Sequence, residues 1–169
     1  MFSENFETHQ TFINVANQIK DLSKCQFTKV ACIFVNESGR INATGVNGTI
    51  SGTTNCCDTH FDARDDHVPY SHKYELHAEM NTILDLARSG LKPSKLTVYT
   101  TLSPCQNCLK HLCGLVKLKG VDTLHIDRIV YAERYHRFTE DDVNEMKQYA
   151  LMAGIKLSSI EDLRNELQS

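Results

Sequence analysis

The chain has no stretch of about 18 consecutive apolar residues, so no segment of it reads as a membrane-spanning helix. It has no basic excess either: Lys plus Arg number 18 against 21 Asp plus Glu, a net charge of −3 at pH 7. A long nucleic acid therefore finds no broad cationic surface, whereas one small nucleotide needs only local groups. Prolines are few and scattered, at 69, 93 and 104, and no repeat, low-complexity tract or linker divides the chain. The opening MFSENFETHQ carries two acids and no apolar run, so an export signal is not expected and the protein reads as cytoplasmic (host cytoplasm for a viral chain). What remains is ordinary: 169 residues, 41% hydrophobic and 23% charged, suited to one domain spanning 1–169.

Seven cysteines, at 25, 32, 56, 57, 105, 108 and 113, make an odd number, which argues against a disulfide framework. Their clustering with some of the eight histidines points to metal instead.

Phe12, Ala16, Ile19 and Leu22 recur at helical spacing, and Val30 to Val35 is a continuous apolar run suited to a doubly covered strand. Asn36 to Gly39 is turn chemistry, and Arg40 to Gly45 reads as the hairpin partner. Residues 46–74 read as a long polar loop of the kind held down by something, with metal a candidate tether. Met80, Ile83, Leu84 and Ala87 mark a helix over 76–89, with Gly90 as its stop and Pro93 beyond. Leu96 to Thr101 reads as a strand, then Ser103 as an N-cap and Pro104 as a first helical residue, which puts Cys105 and Cys108 on an opening turn. A strand at 129–133, a helix from the Thr139/Asp142 capping pair to Ala153, a strand at 155–157 and a short closing helix follow. The order gives an α/β fold: a three-layer α/β/α sandwich around a mixed sheet of about five strands. Ligands in such sheets bind at strand carboxyl ends.

His77-Ala78-Glu79 and Pro104-Cys105-Gln106-Asn107-Cys108 both open helices after segments that end near one sheet edge. One imidazole and two thiolates, His77, Cys105 and Cys108, form a three-ligand zinc site with a free fourth position, the catalytic rather than the structural arrangement. Two thiolates neutralise the dication, so deprotonating water there calls for a base. Two residues apart on a helix, His77 and Glu79 point about 200° apart, so Glu79 flanks the water position rather than ligating. Taken singly, His-x-Glu is a solvated helix start and Cys-x-x-Cys a redox pair or half a zinc knuckle. Together they satisfy the H-x-E…P-C-x-x-C pattern of zinc nucleobase deaminases, with residues 80–103 between the halves.

The sequence resembles the cytidine deaminase superfamily and, within it, the phage-type deoxycytidylate (dCMP) deaminases. The resemblance covers most of residues 10–158. It extends to Ser23-Lys24-Cys25, Gly45-Val46-Asn47-Gly48, Asn55-Cys56-Cys57-Asp58, Glu75 to Asn81, Arg88, Thr101 to Cys105 and Tyr135. It implies a cytidine deaminase-like fold and hydrolytic deamination of dCMP to dUMP and ammonia, with Glu79 moving the protons. It also implies a homo-oligomer, a hexamer or trimer, activated by dCTP and inhibited by dTTP with magnesium. By similarity Asn47 and Tyr135 contact substrate, and Gly48 and Arg88 belong to the effector site. A turn asparagine, a half-buried tyrosine and a helix-end arginine suited to the dipole are the structural alternatives. Cys25, Cys56, His67 and Glu75 resemble positions that form a second zinc site, giving two zinc ions per chain. A closed site there would staple the loop to the end of the first helix.

Two features depart from the family pattern: Val46 stands where Tyr is usual, and residues 109–127 are longer. The rival readings are a deaminase of another cytosine nucleotide or nucleoside or of tRNA adenosine, which the charge disfavours, and a non-catalytic zinc-binding module, which the presence of Glu79 disfavours.

Overall fold

In a computed structural model that describes residues 5–90, 95–115 and 125–168, the apolar run near residue 30 becomes a strand covered on both sides. In chain order the elements are α1 (Phe6–Ile19), β1 (Ala31–Asn36), β2 (Ile41–Val46), β3 (Gly48–Thr49), α2 (Arg64–Tyr74), β4 (Glu75–Leu76), α3 (Ala78–Arg88), β5 (Lys95–Leu102), α4 (Gln106–Gly114), β6 (His125–Glu133), α5 (Glu140–Met152), β7 (Lys156–Ser159) and α6 (Ile160–Gln168). Strand side chains alternate between faces. Cys32 and Phe34 of β1 join the core under α3, α4 and α5, while Ile33 and Val35 join the core under α1 and α6. That double cover makes β1 apolar without interruption, and it yields the expected α/β/α layers of a cytidine deaminase-like fold.

The five-stranded sheet runs β2-β1-β5-β6-β7. β1 is antiparallel to β2 and β5, whereas β5, β6 and β7 are parallel. The carboxyl ends of β5 and β6 therefore lie side by side, with Leu102 opposite Glu133. The start of β1 meets them, Ala31 N–H donating to Thr101 Oγ1 at 3.1 Å. Three chain turns thus converge at one sheet edge, where ligands of such sheets bind. A two-stranded ribbon of β3 and β4 lies beside it, Gly48 opposite Leu76.

Several local expectations change. Residues 46–74 are not a structureless loop: they hold β3, a 3₁₀ turn at Cys56–Asp58 and the three-turn helix α2. α2 has no apolar stripe and carries Pro69 in its interior, where proline ordinarily breaks a helix. Its stability comes from tertiary contacts around the buried His67, whose ring lies 4.8 Å from that of Phe27 and 5.3 Å from that of Phe61. The helix expected over 76–89 starts at Ala78; His77 is its extended N-cap. Its buried face is Ala78, Glu79, Thr82 and Leu86, while Leu84 and Ala87 face outward. Leu22 leaves the first helix for an exposed 3₁₀ turn. Cys105, not Ser103, is the N-cap of α4. Pro93 and residues 116–124 of the 109–127 extension lie outside the described residues. The Thr139/Asp142 capping box forms as expected.

Candidate active site

The site begins with Gly45. A Cβ there would stand 2.5 Å from Ala78 O and from Thr82 N, so only glycine lets β2 approach the first turn of α3 this closely. Thr82 Oγ1 donates to Ala78 O at 2.8 Å or to Cys32 O at 3.0 Å, and Asn81 Nδ2 donates to Val46 O at 2.7 Å. α3 is thereby pinned to both hairpin strands, which fixes where its N-cap points. From that N-cap, His77 Nδ1 lies 3.5 Å from Cys105 Sγ and 3.4 Å from Cys108 Sγ.

A tetrahedral zinc with Zn–N of about 2.0–2.1 Å and Zn–S of about 2.3 Å separates nitrogen from sulfur by about 3.5 Å, so the three donors fit such an ion. The electrostatics agree. Donation from the Cys108 thiol, aided by His77 and opposed by burial, lowers the Cys105 pKa to about 3. The Cys108 pKa rises because it shares that proton and is buried. His77 is pushed up by Cys105. The set already holds one thiolate, and a dication would displace the second proton.

Glu79 is 4% exposed and in hydrogen-bond reach of Cys108. Burial raises its pKa above the ordinary carboxylate value. It borders a cavity of about 320 Å³ that also exposes His77, Cys105, Asn47, Tyr135 and two arginines, Arg64 and Arg137. The only carboxylates on the wall, among the described residues, are Glu75 and Glu79.

A second cluster lies against the same cavity. Ligand atoms of Cys25, Cys56, His67 and Glu75 all sit within 4.8 Å of one another. His67 Nε2 is 3.2 Å from Glu75 Oε2 and 3.8 Å from Cys25 Sγ, and Cys56 Sγ accepts from Gln26 N–H at 3.2 Å. Burial pushes the Cys56 thiol up to about 11. Glu75 Oε1 is buried without a hydrogen-bond partner among the described residues, which a bound cation would answer. Two sulfurs, one imidazole and one carboxylate form a closed donor set for zinc.

The pattern of the cytidine and deoxycytidylate deaminase zinc-binding region matches residues 6–121. The chain belongs to that family. It is a deaminase by membership, and its H-x-E and P-C-x-x-C halves meet in space as the family's zinc-binding chemistry requires. The deoxycytidylate deaminase of Enterobacteria phage T4 is 29% identical over 161 residues, covering 75% of this chain and 78% of that protein. ComE operon protein 2 of Bacillus subtilis is 30% identical over 132 residues, covering 78% and 62%. The crystal structure of dCMP deaminase from the cyanophage S-TIM5 in complex with dCMP and dUMP superposes with a TM-score of 0.68 at 26% identity, covering 90% and 96%.

Of the remaining expected residues, Asn47 is on the cavity wall with its amide held by three hydrogen bonds. Its Oδ1 accepts from Val30 N–H at 2.8 Å and Ser23 Oγ–H at 2.9 Å, and its Nδ2 donates to Thr28 O at 2.8 Å. Tyr135 is half-buried, its N–H donating to Ser103 Oγ at 2.9 Å. Gly48 sits in β3 beside the His77 turn, and Arg88 is exposed at the far end of α3, away from the cavity. Sequence reasoning missed Arg64 and Arg137. Arg64 stood in a stretch read as loop, next to Asp65 and Asp66, whose charges cancelled its signal.

Proposed function

We propose that the chain catalyses hydrolytic deamination of dCMP to dUMP and ammonia at the His77/Cys105/Cys108 cluster. The observation that carries the reading is Glu79: a buried carboxylate beside three zinc donors, opening on a cavity that holds two arginines. When bound by His77, Cys105 and Cys108, zinc supplies a Lewis acid that makes water easier to deprotonate. Glu79 takes a proton from the attacking water and returns it to N3 as oxygen adds to C4. It then takes the remaining proton from the new C4 hydroxyl and delivers it to the C4 amine, so that the C4 carbonyl forms as the C–N bond breaks and ammonia leaves. Burial favours the proton-carrying form of Glu79 by raising its pKa above the ordinary carboxylate value, which suits it to hold the proton between the two transfers.

Asn47 shapes the substrate wall by tying Thr28, Val30 and Ser23 together, and Tyr135 faces the bound nucleotide. Cys25, Cys56, His67 and Glu75 hold a second, structural zinc. The names of the phage T4 and cyanophage relatives support dCMP as the substrate. We further propose, from the motif resemblance alone, a cytoplasmic homo-oligomer, hexamer or trimer, activated by dCTP and inhibited by dTTP with magnesium. The resemblance assigns Gly48 and Arg88 to that role; both lie outside the cavity, Gly48 in the β3–β4 ribbon next to His77 and Arg88 at the opposite end of α3. No helix among the described residues is long and apolar enough to cross a membrane.

The test is ammonia release measured in parallel from cytidine, dCMP, dCTP and an adenosine-containing tRNA. dCMP is expected to be turned over fastest, with dCTP lowering the concentration for half-maximal rate and dTTP raising it. Faster release from tRNA or from cytidine would overturn the substrate assignment, and indifference to both triphosphates would overturn the regulation.

A further inference from the structure

We propose that Arg64, the first residue of α2, reads the substrate's 5′-phosphate and sets the preference for a nucleotide over a nucleoside. The inference rests on the deaminase reading above and adds to it the residue that binds the phosphate.

Arg64 reaches the cavity from α2, which carries none of the three donors His77, Cys105 and Cys108. Its Nη1 donates to Thr28 Oγ1 at 2.7 Å and its Nη2 to Tyr135 Oη at 3.4 Å. These two bonds hold the guanidinium plane. The Nε–H is buried and has no hydrogen-bond partner among the described residues. A buried donor left unmet is costly, and more so on a charged group. No carboxylate forms an ion pair with Arg64 among the described residues, and Asp65 and Asp66 beside it in sequence are exposed. The cation is therefore anchored, oriented and not neutralised. A guanidinium on a cavity wall whose Nε–H and remaining Nη hydrogens are not spent on protein acceptors among the described residues keeps the fork that binds two phosphate oxygens at once.

Arg137 also borders the cavity, but it is exposed on the turn between β6 and α5, and no hydrogen bond or ion pair fixes it there among the described residues. Arg64 is fixed by the fold itself. Three residues further along α2, on the same helix face, His67 enters the closed cluster with Cys25, Cys56 and Glu75. The cluster is thus a positioning device for Arg64.

The test compares full-length wild type with Arg64→Gln, Arg64→Lys and Arg137→Gln. It reads kcat and KM for dCMP and for deoxycytidine, the calorimetric Kd for dUMP, and the thermal midpoint. Arg64→Gln should raise KM for dCMP by ~10²-fold, a loss typical of a charge-assisted bond. The preference for dCMP over deoxycytidine should fall by the same factor and dUMP affinity should weaken in parallel. Arg64→Lys, which keeps the charge but not the fork, should fall between. Should Arg64→Gln fail to fold, the arginine Nε–H signal that disappears in Arg64→Lys decides. It should move when wild type binds dUMP and stay in place with deoxyuridine. A preference unchanged in Arg64→Gln, an equal loss on both substrates, a larger loss in Arg137→Gln, or an Nε–H signal indifferent to dUMP would each overturn the proposal. A wild type that deaminates neither substrate, or favours deoxycytidine, would instead defeat the underlying dCMP reading.

Discussion

The two clusters of candidate metal donors share imidazole and thiol groups but are built differently, and only the second adds a carboxylate. His77, Cys105 and Cys108 come from two helix N-caps and one opening turn, and the set grades from exposed to buried. It offers three donors, and the nearest carboxylate, Glu79, stands beside it rather than in it. Cys25, Cys56, His67 and Glu75 offer four donors, three of them buried, drawn from segments with little apolar packing of their own. Three donors on rigid elements leave room for a reacting water; four donors on polar segments replace a missing core. Glu75 and Glu79 make the point within five residues. β4 turns the first towards His67, and the start of α3 turns the second towards the cavity.

The sharpest way to break this contrast is Glu79→Gln. It should lower kcat by ~10²- to 10⁴-fold, the usual share of a proton-transferring group, while zinc content and thermal midpoint stay at wild-type values. A variant with near-normal turnover would mean that the catalytic cluster needs no carboxylate, and the distinction between the two sites would lapse. The reciprocal change, His67→Ala, leaves Glu75 buried without its partner and should cost about 3–5 kcal/mol by denaturant titration. Elemental analysis should find two zinc ions per chain in wild type and one in the variant. A wild type purified without chelator that carries a single zinc would contradict a metal role for the second cluster.

A smaller effect comes from the seam between the catalytic cluster and the sheet. Gly45→Ala forces a Cβ against backbone atoms of α3, and overpacking of this kind costs about 1–3 kcal/mol. Because α3 carries His77 and Glu79, turnover should fall with stability while the second zinc is retained. Unchanged stability and rate would show that α3 shifts freely, and that its fixed position does not set the site.

The smallest effect is expected at Asp142, remote from both clusters. The Thr139 backbone N–H, then its hydroxyl, hold the Asp142 carboxyl below its ordinary value of 3.8. A carboxyl lowered in the folded state stabilises it above the unfolded pKa, and that stability is lost as pH falls through the folded value. Asp142→Asn should therefore lower the thermal midpoint at neutral pH, with the gap from wild type closing below pH 3.8. A gap that persists in acid would assign the loss to the hydrogen bonds rather than the charge.

The contrast also marks what the sequence made legible. His77, Cys105 and Cys108 were readable because the H-x-E and C-x-x-C halves are local spacings, each within four residues, that put their side chains on a helix start. β1 was readable because its unbroken apolar run permits nothing but double burial. The Thr139/Asp142 cap is likewise a local interaction with a local signature. The two glutamates were harder: assuming that the helix began at residue 76 put His77 inside it, and the angular argument separating it from Glu79 rested on that assumption. In the structure His77 is extended, and the separation comes from the N-cap turn.

Residue types and short spacings by themselves determined the chemistry, because metal ligation and proton transfer depend on which atoms are present within a turn or two. Tertiary structure alone decided α2 and the reach of Arg64. That helix has neither an apolar stripe nor an uninterrupted interior, since Pro69 lies within it. It forms through His67, Phe27 and Phe61, contacts supplied in part by residues some 40 positions away. No local pattern encodes a helix whose stability lies in distant partners, so its arginine became visible only once the chain was folded.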